Sequence, residues 1–96
     1  MKDVLDGIAR TVLDGIRDAE MQYGYAEKAR ESGKADIAIR HNEEAKRRLQ
    51  GVKEWYDIGM KLVGDKLDPL AAMLMEHNRK NYRSLIDKVA TFKPGA

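Results

Sequence analysis

A chain of 96 residues has the size of one domain, and its 18 basic and 16 acidic side chains leave a charge of only +2, so no anionic polymer or lipid surface is implied as partner. The lack of cysteine excludes disulfides and thiolate metal sites. With 43% apolar residues, 35% charged residues and two prolines, the composition also excludes disordered and collagen-like chains, and an all-α domain spanning residues 1–96 in a cytoplasmic setting is expected.

The first helix is predicted from about residue 4 to 32. Asp3 can cap it, because a carboxylate accepts from the free N–H groups of the first turn. Leu5, Ile8, Val12, Ile16, Tyr23 and Ala26 recur at helical spacing and lay one apolar stripe. Charges interrupt every short apolar run in "MKDVLDGIARTVLDGI", so this stretch has neither a signal-peptide core nor the apolar length of a membrane span, and no membrane partner is expected. The stripe stops at Ser32-Gly33, where glycine can take the left-handed conformation that ends a helix.

A second helix is predicted over about 34–63, its stripe running through Ile37, His41, Ala45, Leu49, Val52, Trp55, Tyr56 and Gly59, with the aromatic pair in the core. In "GDKLDPL", Asp68 is a candidate cap and Pro69 suits the first helical position, where its missing N–H costs nothing. The third helix, about 69–92, carries Leu70, Met73, Leu74, His77, Asn81, Leu85 and Val89 before Pro94 stops it.

Three helices of roughly 35 to 45 Å with short connections make an antiparallel bundle. A hairpin at Gly33 pairs residues whose numbers sum to about 66, which sets Gly15 near Gly51 and Gly7 near Gly59; facing glycines would let the two helices approach closely. "LDPLAAMLM" is apolar around more of the third helix than one stripe needs. Leu70, Met73, Leu74 and Met75 are therefore expected to form the interface of a homodimer or larger bundle.

The end of the hairpin nearest Gly33 is polar. The same pairing sets His41 opposite Tyr25 and Glu44 opposite Gln22, with Glu20 and Glu27 flanking them. Glu20, Glu27, His41 and Glu44 could offer oxygen and nitrogen ligands to iron, manganese or zinc, a symmetry mate completing the shell. The competing arrangement pairs Glu44 with Arg48 and Glu43 with Arg47 and leaves the tyrosines to fill space. Lys46, Arg47 and Arg48 raise the local potential against a cation.

"QYGYAEKARESGKADIA" followed by "EEAKRRL", within Tyr23 to Leu49 and its approach, resembles the first helix pair of rubrerythrin-type ferritin-like proteins, with their tyrosine-rich first helix and glycine turn. The resemblance implies a bundle around a di-iron centre, with Glu20 as the first-helix ligand. The family's Glu-x-x-His on the second helix has no counterpart here, since Arg47 stands three residues after Glu44 and Lys46 three after Glu43, while His41 precedes both.

Elsewhere, His77 with Glu76, Arg79 and Lys80 lacks a nucleophile with a positioned base. Arg79, Lys80, Arg83 and Lys88, with Tyr82 to stack, alternate with acidic residues and read as a solvated face, so nucleic acid is not expected as a partner. The function expected from the sequence is a non-catalytic interaction or assembly module without cofactor; the alternative is a ferritin-like metal-binding bundle.

Overall fold

The Gly33 turn sets the architecture. Lys34 N–H donates to the Ala29 carbonyl at 2.8 Å and Gly33 N–H to the Arg30 carbonyl at 3.0 Å, the two bonds that close a helix on a left-handed residue. Gly33 supplies that residue, with φ of 73°. In this computed structural model, which describes the backbone of residues 2–63 and 69–95 and the side chains of 6–61 and 76–95, three helices follow in chain order. They are α1 (Lys2–Glu31), α2 (Ala35–Val63) and α3 (Pro69–Ala90). Asp3 falls inside the first turn of α1 rather than at its cap, and Asp68 lies outside the described residues. No strand occurs among the described residues.

The molecule measures 50 × 17 × 16 Å, and its radius of gyration of 15.3 Å exceeds the roughly 13 Å of a rounded domain this size. Its length is that of α1, since 30 residues at about 1.5 Å each reach 45 Å. α1 and α2 run antiparallel in the expected register: the Tyr25 ring lies against that of His41, tilted by 54°, and Asp18 reaches Arg48, both pairs summing to 66.

Two apolar clusters fill the rod. Ile8, Val12, Ile16 and Val52 form one, and Ala19, Ala45, Leu49, Leu85 and Val89 the other, with the partly buried Tyr82 packed against both. Burying branched side chains such as Val12 and Ile16 stabilises the fold by about 1.5–3 kcal/mol each. Alanines 19, 26, 38 and 45 are fully covered, so small residues make much of the α1–α2 seam.

That seam corrects two expectations. In α2 the inward line passes through Ala38 and Asn42, while Ile37 is 41% exposed; Trp55, expected in the core, is 45% exposed. Small side chains let the backbones come close, so large residues on the flanks of the seam stay half in water. The facing glycines are also corrected. A Cβ on Gly15 would stand 2.5 Å from Val52 Cγ2, so α2 meets α1 there with a valine, whereas Gly7 and Gly51 have open space where a Cβ would project.

The end of α3 is tied to α2 by Asn42, whose Nδ2 donates to the Val89 carbonyl at 3.2 Å. That carbonyl belongs to the last turn, where no intrahelical N–H can reach it. Beyond it, Phe92 sits edge-on to Tyr23 and beneath the Arg30 guanidinium.

Candidate functional site

The four candidate ligands do not converge. Glu20 and Glu27 lie on the flank of α1 that faces α3, lining a shallow groove with Ser84 and Lys88, and Glu27 reaches Arg30 at 4.0 Å. His41 lies on the opposite flank of the seam. Its Nδ1–H donates to Gln22 Oε1 at 2.8 Å, and its ring rests 5.3 Å from that of Tyr25. Glu44 is held by two guanidinium groups, Arg47 at 3.1 Å and Arg48 Nε at 3.3 Å, and Arg48 also reaches Asp18 at 3.4 Å. Among the described residues, no three His, Cys, Asp or Glu side chains lie close enough together to hold a metal ion. The expected Glu44–Arg48 pair is present, whereas Glu43 reaches Lys46 at 3.3 Å rather than Arg47. These pairs are half-buried to exposed, and each contributes about 0.2–1 kcal/mol.

The open space of the molecule lies elsewhere, between α2 and α3. α1 packs against both neighbours, but α2 and α3 splay apart beyond the Leu49–Val89 contact and leave a groove of about 530 Å³. Leu49, Tyr82, Ile86 and Val89 make its floor, and Lys46, Lys53, Glu54 and Asp57 stand along its α2 rim. A second depression of about 160 Å³ shares Lys53, Asp57 and Tyr82 and extends the groove to Tyr56, Arg79 and Arg83. Four basic and two acidic side chains thus surround an apolar floor, a local excess of two positive charges.

Tyr82 is the polar group on that floor. Burial first, and the neighbouring Asp57 carboxylate second, raise its pKa above the ordinary value. Tyr23, in the α1–α3 groove, is raised for the same first reason, with Glu27 adding to the rise and Arg30 opposing it. A tyrosine whose folded pKa lies above its unfolded one adds stability that is complete below about pH 10 and is lost as pH rises further. The urea midpoint is therefore expected to fall as pH rises above about 10, and to fall less in the Tyr82→Phe variant.

An apolar floor between charged rims can hold the face of another helix. The α3 stripe expected from sequence holds Leu85 and Val89, of which only Val89 lines the groove; Tyr82 and Ile86, which complete the floor on α3, lie beside that stripe. The expected interface residues Leu70, Met73, Leu74 and Met75 lie outside the residues whose side chains are described. No described helix is long and apolar enough to cross a membrane. Comparison with protein families, with curated proteins and with solved structures gives no match for this chain.

Proposed function

We propose that this chain is a non-catalytic assembly module that forms a symmetric helical bundle with a second copy of itself. The observation that carries the reading is the α2–α3 groove, floored by Leu49, Tyr82, Ile86 and Val89. Its anatomy, an apolar centre inside a charged rim, is that of a protein interface. A slender three-helix rod offers too little mutual cover for its apolar faces, and a further helix in the groove would bury what the chain alone leaves wet.

The test is sedimentation equilibrium of the full chain across micromolar concentrations. The expected species has twice the 10.9 kDa chain mass. A single species at the chain mass throughout would overturn the reading.

A further inference from the structure

We infer that the second half of α3 and the residues after it, Tyr82 to Gly95, form a latch that opens from the α1–α2 hairpin as one unit while the alanine seam stays closed, with Phe92 as its catch. The inference does not rest on self-association.

The seating of this stretch is narrow. Of its side chains only Leu85 and Val89 are buried, against Ala19, Ala45 and Leu49. It is undercut on both sides, by the groove of about 530 Å³ toward α2 and by a depression of about 350 Å³ toward α1, which Tyr23, Leu85 and Lys88 line. Water therefore reaches both flanks of a ridge made of two buried side chains. The seam is built differently: Ala19, Ala26, Ala38 and Ala45 are fully covered, and Val52 is buried where α2 meets Gly15. A segment with few buried contacts and wet flanks opens at a lower free energy than one closed along its length.

Asn42 acts in both directions. Its Nδ2 holds the Val89 carbonyl at 3.2 Å, but its Oδ1 is buried with no donor among the described residues. A buried acceptor without a donor disfavours the closed state, and lifting Val89 away would let water reach that oxygen as well as the freed Nδ2. The pin that aligns α3 thus also eases its release.

Phe92 opposes that release. Thr91 closes the last turn, its N–H donating to the Asp87 carbonyl at 3.0 Å and its Oγ1 to the same carbonyl at 2.7 Å, and the chain leaves the helix at Phe92. The Phe92 ring stands edge-on to Tyr23 with 5.8 Å between centroids, and the Arg30 guanidinium lies 5.4 Å from its centre. Both partners belong to α1, so the ring fastens the tail to the hairpin through contacts that the Leu85–Val89 ridge lacks. Opening would remove Tyr82, Ile86 and Val89 from the floor of the groove and uncover Ala19, Ala45 and Leu49 on the hairpin. The latch therefore decides which of two apolar surfaces the chain presents.

The experiment is thiol labelling of the full chain under native conditions, at one low protein concentration. The chain has no native cysteine, so a thiol placed in it reports its own exposure. Val89→Cys and Val52→Cys make the same replacement at sites 3% and 4% exposed, the first in the latch and the second in the seam. Labelling by a small aromatic disulfide is expected to be at least about 10-fold faster at position 89. Adding Phe92→Ala should speed labelling there roughly 5- to 50-fold and change it less than about 2-fold at position 52. Arg30→Ala, which removes the cation and keeps the ring, is the milder variant and should speed position 89 alone by about 2- to 5-fold. Phe92→Tyr keeps the ring and should leave both rates near those of the parent. Labelling at position 89 that is no faster than at position 52, or a Phe92→Ala change that speeds both positions alike or neither, would overturn the latch.

Discussion

Replacing Leu49 by alanine is expected to lower the unfolding free energy by about 3 kcal/mol, within the 2–5 kcal/mol range for emptying a buried leucine site. Leu49 is 3% exposed and stands where the three helices meet, against Ala19 of α1, Ala45 of α2, and Leu85 and Val89 of α3. The alanines cannot swing into the vacated space, which pushes the cost up. The groove beside Leu49 lets the half-buried Tyr82 and Ile86 settle inward, which moderates it. For a domain of this size, whose whole stability is of order 5–15 kcal/mol, that change corresponds to a fall in Tm of about 12–24 °C. Urea or thermal unfolding at one fixed protein concentration measures it, since self-association would add to the apparent stability. Trp55→Ala is the control. Trp55 is the largest side chain in the molecule, but it is 45% exposed, and its loss is expected to cost under about 1 kcal/mol. Equal costs at the two positions would show that the inward face of α2 has been assigned to the wrong side.

The contrast between Leu49 and Trp55 shows where the sequence was legible. The turn could be read, because a left-handed residue is needed where α1 ends and Gly33 accepts it without strain. Antiparallel pairing followed from the short connection, and Tyr25 with His41 and Asp18 with Arg48 occupy the levels it assigns. What could not be read was rotation about each helix axis. One residue turns a helix by about 100°, and a seam built of alanines gives a weak hydropathy contrast, so Ile37 and Ala38, or His41 and Asn42, compete nearly evenly for the inward line.

The candidate ligands failed to meet for the same reason. Glu20, Glu27, His41 and Glu44 share one end of the rod, as the pairing rule states, but α1 turns its two glutamates toward α3 while His41 and Glu44 sit on the other side of the seam. The groove was hidden too, because its existence depends on how α3 tilts over the hairpin. Loop lengths carry no information about that tilt.

Gly15 tests the closest approach between α1 and α2. Gly15→Val is expected to destabilise the protein by about 2–3 kcal/mol, because even its Cβ would stand 2.5 Å from Val52 Cγ2. Neither side can yield cheaply. Val52 is buried, and its branched side chain holds one strongly preferred rotamer in a helix, so relief requires the helices to separate along the alanine seam. Gly51 lies one residue from that contact and has nothing within 4 Å of a projected Cβ. Gly51→Ala is accordingly expected to raise stability by about 0.5–1 kcal/mol, the ordinary gain of alanine over glycine inside a helix. The same signs were not expected from sequence, where Gly15 and Gly51 were read as partners in one close contact. Val52→Ala supplies the closing arm of a double-mutant cycle. Alone it costs about 1–3 kcal/mol as a core truncation, but combined with Gly15→Val it vacates the space the new side chain needs. The pair should therefore be less destabilising than the sum of its parts by at least about 1 kcal/mol. Strict additivity, or a Gly51→Ala penalty matching that of Gly15→Val, would mean that α1 and α2 do not touch at Gly15 and Val52.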